Sequence, residues 1–196
     1  YPMAYGIARA NENVKGLLLL LVILPFWTSF LLRVYAWMGM LSTHGVINSL
    51  LINAGLIDQP LKLLYTDLAV YIGIVYTYLP FMILPLYANL ERMDMTFNEA
   101  AADLGSRPWR AFIDITLPLS VPGIIAGSLL VFIPALGEFV IPTLLGGLDS
   151  LMIGRTVYDE FFQNRDWPLA SAVATILLLI LVIPIMIFQK YRGEET

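Results

Sequence analysis

The sequence predicts an all-α membrane protein with about four full spans and the tail of another, on three observations. Hydrophobic residues fill 59% of the 196 positions and charged residues 13%, about half the charged share usual in a globular domain. So little polar surface cannot enclose so large an apolar interior in water, which makes lipid the expected solvent. The charges also leave four long uncharged windows: Gly16 to Leu32, Leu68 to Leu90, Ile115 to Gly137 and Trp167 to Gln189. About 20 residues cross the hydrocarbon as a helix, so each window is long enough to span with some tilt. Buried helices of a large soluble protein are the alternative, which four such windows in so short a chain disfavour. The third observation is a polar, helix-forming stretch set tightly between two of the windows, NEAAADLGSRPWRAFIDITLP from Asn98 to Pro118.

The elements follow in order. The opening YPMAYGIA, closed by Arg9, is too short to cross and reads as the tail of a helix. The chain is therefore expected to be N-terminally incomplete, and no secretory leader is recognised. The first window runs on in apolar character through VYAWMGML to Leu41, with Arg33, Tyr35 and Trp37 as an interfacial anchor whose arginine snorkels outward. Ser42 to Thr66 contains GVINSLLINAGLI, apolar enough for a helix in or near the interface. Thr143 to Asp166 mixes glycine, acids and aromatics and is expected to pack on the bundle or a partner. Pro25, Pro80, Pro85, Pro134 and Pro184 fall inside the windows, where neighbouring helices can satisfy the carbonyls they free.

The basic residues orient the chain. With the opening polar stretch on the cytoplasmic side, that side holds seven: Arg9, Lys15, Arg92, Arg107, Arg110, Lys190 and Arg192. The opposite side holds four: Arg33, Lys62, Arg155 and Arg165. The polar stretch is then cytoplasmic. Cysteine is absent and His44 is the one histidine, which removes thiol chemistry, disulfides and histidine metal clusters.

Within the polar stretch, Thr96-Phe97-Asn98-Glu99 fits a capping box, so a helix is expected to start at Phe97. Gly105 suits the left-handed position that ends it. Ser106 can cap a second helix with Pro108 in its first turn, where Trp109, Phe112 and Ile113 share a face and Arg110 can pair with Asp114. The alanines at 100, 101 and 102 make the first helix thin enough for close approach. These features alone describe an ordinary loop as well as a docking element.

Glu99-Ala100-Ala101, three residues, Gly105, nine residues, Ile115, one residue, Leu117-Pro118 resembles the EAA loop of ABC importer permeases, every fixed position matching at its spacing. The resemblance implies a type I ABC importer transmembrane domain (MetI-like), a single domain over 1–196 with a coupling loop at 91–116. By the same resemblance, Glu99, Ala100, Ala101, Asp103 and Gly105, with Ile115, Leu117 and Pro118, couple the chain to a cytoplasmic ATPase subunit. The sequence carries no G-x-x-x-x-G-K-[ST] loop, and Gly146-Gly147 is followed by Leu148 and Asp149, so no phosphate-binding loop is expected here. ATP and magnesium would sit on the partner ATPases, with no cofactor or metal on this chain and no covalent chemistry.

LPFWTSFLLRVYAWMGML, GLIDQPLKLLYT, PALGEFVIPTLLGG, MIGRTVYDEFF and NRDWPLASA are similar to the polyamine branch of these permeases, closest to putrescine permease subunits. That similarity implies a second, different permease subunit, two ATPases, a periplasmic polyamine-binding protein and a place in the bacterial inner membrane, with membrane lipid around the chain and no nucleic acid. The solute would be putrescine or spermidine, moved by alternating access; a permease of this family for another small solute is the alternative, since relatives for other solutes share much of this text.

A diamine path needs acceptors for its ammonium ends and aromatic faces for its charge. Glu138, beside Phe139 toward the outer end of a span, is the first candidate, because a carboxylate there is costly unless it faces a cavity or a partner. Pairing with an arginine, or capping a broken helix, is the other reading of Glu138. Tyr71 and Tyr78, seven apart on one helix face, can line a cation route or simply pack, with Tyr76 lying elsewhere. Asp159 and Glu160, with Asp166, are placed to meet a binding protein or attract a cation, or to form a solvated face. An ion-coupled secondary transporter is the alternative from another class, but the windows carry almost no mid-membrane charge for an ion site.

Overall fold

The computed structural model describes residues 1–147 and 150–193, with side chains up to Met186. The side chains of Lys190 and Arg192, counted above on the cytoplasmic side, lie outside the described residues. In chain order the helices are α1 (Pro2–Ala8), α2 (Glu12–Ile23), α3 (Phe30–Leu41), α4 (Val46–Asn53), α5 (Asp67–Glu91), α6 (Thr96–Asp103), α7 (Pro108–Ala111), α8 (Leu117–Leu136), α9 (Val140–Leu145), α10 (Ile153–Tyr158) and α11 (Trp167–Gly193). A 3₁₀ turn at Leu24–Trp27 follows α2, and π turns at Phe112–Thr116 and Asp159–Gln163 precede α8 and α11. The described residues contain no strand, as the fold class requires.

Three helical stretches are long and apolar enough to cross a membrane: Asp67–Glu91, Pro108–Leu136 and the described part of α11, Trp167–Met186. The first window differs from expectation. Instead of one continuous span it holds two helical pieces, Glu12–Trp27 and Phe30–Asn53, which make a fourth span only if counted together. Pro25 supplies the physical reason: it has no N–H for the helical ladder, and the backbone tightens into the 3₁₀ turn around it. Ser29, extended at φ −56° and ψ 136°, then restarts the chain as the N-cap of α3.

The chain divides into two compact units. The first comprises Tyr1–Trp27 and Tyr78–Val131. Its core is Ala4, Ile7 and Ala8 of α1 against Ile83, Leu86, Tyr87 and Leu90 of α5, with Leu18, Leu19 and Val22 of α2 packed alongside. Helices α5 and α8 approach closely where α8 has no side chain. A Cβ on Gly123 would stand 2.6 Å from Asn89 Cβ, and one on Gly127 would stand 2.8 Å from Met82 Sδ and 3.0 Å from its carbonyl oxygen. Small residues at such crossings let backbones pack where lipid gives no hydrophobic drive.

The second unit comprises Thr28–Thr77 and Phe132–Thr196. Its core gathers Val34 and Leu41 of α3, Ala69 and Val70 of α5, and Ile141 and Leu145 of α9. The expected interfacial helix is α4. Its Asn48, 1% exposed, donates to the carbonyls of Ser42 (3.2 Å) and Leu61 (2.9 Å) and accepts from the Leu61 N–H (2.8 Å). One buried amide thus holds both ends of the segment. Tyr35 is exposed, whereas Trp37 packs edge-on against Tyr76 at 5.4 Å, so this part of the expected anchor is a helix–helix contact.

Candidate functional site

The polar stretch forms two short helices meeting at a glycine, within the first unit. Helix α6 does not start as the capping box predicts. Thr96 is its first residue rather than its cap and makes no capping bond through its side chain. Instead Asp94 Oδ1 accepts the Thr96 N–H at 2.9 Å. That bond, and secondarily the Thr96 hydroxyl, holds the Asp94 carboxyl below its ordinary range. A carboxylate at this end also meets the positive pole of the helix. The acid two residues earlier outcompetes the threonine.

The end of α6 follows the sequence closely. Gly105 is left-handed at φ +79°. Its N–H donates to the Ala102 carbonyl and the Ser106 N–H to the Ala101 carbonyl, both at 2.9 Å, the paired bonds of a Schellman cap. Ser106 does not cap α7 through its side chain. Arg107 holds the N-cap position and Pro108 stands at the first turn, where its missing N–H costs little. The expected Arg110–Asp114 pair is absent; the Arg110 guanidinium lies 5.3 Å from the Trp109 ring centre. Both charges instead line an open depression with Leu104, Gly105, Ser106 and Arg107.

The turn at Phe112–Thr116 explains the loss of that pair. Pro118 has no N–H for the carbonyl of Asp114, and the backbone ahead of it widens, with the Leu117 N–H reaching the Phe112 carbonyl. One added residue per turn rotates the two side chains out of register. The widened turn is held on both sides. Phe112 sits edge-on between Tyr1, the N-cap of α1 (5.5 Å), and Tyr5 within that helix (5.8 Å). Thr116, 1% exposed, donates from its hydroxyl to Asn98 Oδ1 of α6 at 3.3 Å. Nothing in the EAA spacing marks Asn98 or Thr116.

Of the motif residues, Glu99, Ala100, Asp103 and Gly105 are exposed, Ala101 is buried against the unit, Ile115 and Leu117 are half-buried, and Pro118 is exposed. Around them stand uncovered apolar side chains: Leu104 at 88% exposure, with Phe97, Trp109, Ile113 and Met95. Acids, arginines and large apolar groups therefore share one solvent-facing loop at the foot of a span. The entry to the loop carries a feature that motif reading missed. Lys15 of α2 is 8% exposed, and its ammonium donates to Glu12 one turn earlier and to Glu91, the last residue of α5, at 3.2 Å.

The second unit holds most of the proposed solute contacts. Glu138 is 8% exposed, and its Oε1 accepts the N–H groups of Val140 (2.8 Å) and Ile141 (3.1 Å). It therefore caps α9 where the long helix α8 has broken at Gly137. Phe139 is half-exposed and stacks on Tyr158 at 4.5 Å, which continues to Phe162 at 5.0 Å. Asp159 pairs with Arg155 at 3.5 Å and accepts from Gln163, while Glu160 accepts from Asn164 at 3.0 Å. Tyr71 is 65% exposed. Tyr78 belongs to the first unit and is 8% exposed, so the shared helix face leads to two different environments. Arg155, one of the basic residues that orient the chain, also donates from Nη1 to the carbonyls of Pro142 (3.2 Å), Gly147 (3.0 Å) and Ser150 (3.3 Å). Ser150 in turn donates to Asp67 Oδ1 at 2.5 Å.

Comparison with known proteins shows the family. Residues 2–192 match the family model of the binding-protein-dependent transport system inner membrane component. The chain is 43% identical over 195 residues to the spermidine/putrescine transport system permease protein PotB of Haemophilus influenzae, covering 100% of this chain and 68% of that one. It is 43% identical over 190 residues to PotB of Escherichia coli, covering 97% and 69%. The chain thus spans about two thirds of the length of the curated relatives it matches. Among solved structures, a bacterial ABC transporter involved in the import of the acidic polysaccharide alginate superposes with a TM-score of 0.73 at 20% identity, covering 97% of this chain and 72% of that one. A further structure of a bacterial alginate ABC transporter, in complex with a pentasaccharide-bound periplasmic protein, gives 0.71 at 19% identity, covering 95% and 69%. At that identity the likeness concerns the fold, and it is the fold of an ABC transporter's membrane subunit. The apolar helices, the loop with its EAA spacing and the match over nearly every residue agree: the chain belongs to the family of binding-protein-dependent transport system inner membrane components, as a multi-pass permease subunit.

Proposed function

We propose that this permease subunit imports polyamines, putrescine or spermidine, by alternating access driven by ATP hydrolysis on partner subunits. The observation that carries the solute class is the 43% identity, across the whole chain, to relatives named for spermidine and putrescine transport. In this reading a second, different permease subunit completes the conduit in the bacterial inner membrane, and a periplasmic polyamine-binding protein delivers the solute. Two cytoplasmic ATPases hold the ATP and magnesium.

Helix α6 and its glycine turn form the docking element on the cytoplasmic side. Glu99, Ala100, Asp103 and Gly105 face the ATPase with Leu104 at the tip, while Ala101, Ile115, Leu117 and Pro118 tie the element to its span. A ligand that binds one state of the ATPases better than the other can move the permease only through such a contact. On the solute side, Phe139 presents an aromatic face stacked on Tyr158, and Tyr71 presents another. Asp159 and Glu160 supply negative charge close to that stack. Such surfaces attract an alkylammonium without fixing its geometry. Glu138 and Tyr78 are each buried in their own unit, and each meets the solute only in a state that uncovers it.

The test is uptake by the assembled transporter in proteoliposomes, with ATP on the ATPase side and labelled putrescine or spermidine with binding protein on the other. ATP-dependent accumulation of either polyamine supports the proposal. Accumulation of another solute, such as a small anion, with neither polyamine moved would overturn the assigned substrate. Glu138→Gln separates the roles of that residue: a raised KM for the diamine at unchanged thermal stability places it on the route, and unchanged uptake at all concentrations removes it.

A further inference from the structure

The entry to the coupling loop is tied to a second helix by a buried charge that the motif does not include. Lys15 stands in the first turns of α2, 8% exposed. Its ammonium is shared between Glu12, whose side chain is 83% exposed, and Glu91, whose side chain is 41% exposed and which lies 76 residues away in sequence. Glu91 closes α5, and five residues later Thr96 opens α6, with Asp94 capping that start. Tyr87, one turn before Glu91 and on the same face, belongs to the core that α1, α2 and α5 share.

A lone ammonium at such burial would be costly, and its position is set by the carboxylates that compensate it. The Glu12 contact lies within one helix and constrains nothing beyond it. The Glu91 contact joins two helices where the loop departs. The geometry points to Lys15–Glu91 as a strut that makes α2 follow the coupling loop, so that Lys15 and Glu91 are positioning residues for transport. The inference rests on reading α6 as the ATPase-coupling element. Without the strut the loop still docks and the ATPases still turn over, but α2, left with only its apolar contacts to the α1–α5 core, follows the loop less tightly.

The test compares ATP hydrolysed per polyamine imported, in proteoliposomes of the complete transporter. Glu91→Gln alone leaves the buried Lys15 with Glu12 as its remaining partner, so the informative variant neutralises both groups together, Lys15→Met with Glu91→Gln. A second variant exchanges the charges, Lys15→Glu with Glu91→Lys, in a Glu12→Gln background that removes the local repulsion. The neutral pair should keep ATP turnover within about twofold while the ATP-to-solute ratio rises at least about fivefold, the lower end of typical coupling between sites. The exchanged pair should restore the ratio. An unchanged ratio in the neutral pair, or an assembled exchanged pair that stays uncoupled, overturns the strut. If no ATPase binds the unaltered chain, the coupling reading fails first, a result visible before any variant is made.

Discussion

Gly105→Ala isolates the backbone contribution of the turn that ends α6, the proposed coupling element. Gly105 has φ +79°, and a Cβ placed on it would meet no atom within 4 Å. Steric room is therefore available, and the cost of alanine is conformational. A left-handed position costs an ordinary L-residue about 1–2 kcal/mol. That is about a 5- to 30-fold loss in the population of the capped turn. With it go the two cap bonds from the Gly105 and Ser106 amides, which form as a unit. Asparagine, which tolerates the left-handed region, should recover most of the loss. The assay is affinity of the purified permease for the proposed ATPase subunits in detergent. Alanine should weaken binding by a factor in that range and asparagine by much less. Equal affinities for glycine and alanine, or asparagine as harmful as alanine, would refute the argument that φ at this residue shapes the proposed docking element.

Four other outcomes follow from named contacts. Gly123→Ala places a methyl 2.6 Å from Asn89 Cβ, which cannot swing away as a chain end would. Overpacking of this kind costs about 1–3 kcal/mol and should lower the thermal midpoint in detergent. Asp94 titrates below the usual carboxylate range because its charged form accepts the Thr96 N–H. Its cap is fully present above the unfolded-state value and is lost as pH falls through the lower folded-state value. The Thr96 amide resonance should therefore shift only on the acid side, and Asp94→Asn should abolish that shift. Glu138→Leu strands the Val140 and Ile141 amides, each worth about 1–3 kcal/mol when buried and unsatisfied, so stability should fall much further than in Glu138→Gln. Arg155→Met releases the carbonyls of Pro142, Gly147 and Ser150, and the segment after α9 should become the earliest site of limited proteolysis.

The sequence was most legible where backbone chemistry alone decides. Uncharged windows located Asp67–Glu91, Pro108–Leu136 and Trp167–Met186, because several such long runs without charge in so short a chain suit lipid far better than water. Gly105 was readable as a helix end, since a left-handed cap needs a residue without a Cβ penalty. Competition between nearby groups was harder. Thr96 and Asp94 both suit the start of α6, and the choice depends on how the chain leaves α5. Pro25 was visible, but a proline in an apolar window reads equally as a kink or a break until the packing around it is known. Lys15 with Glu91 and Thr116 with Asn98 were not legible at all. Their partners are 76 and 18 residues apart, and no local pattern links them. Asn48 and Arg155 were hidden for a similar reason: their value lies in backbone carbonyls, which every residue has and no letter marks.

The central claim is that α6 is where the cytoplasmic ATPases take hold. The chain has no cysteine, so Ala100→Cys, on the exposed face of α6, gives one unique attachment point for a photoactivated crosslinker. In the assembled transporter that label should join the ATPase subunit, with a yield that changes between nucleotide-free and ATP-bound states. A complex that retains its ATPases and transports solute, yet yields no ATPase crosslink from that position in any nucleotide state, would contradict the account.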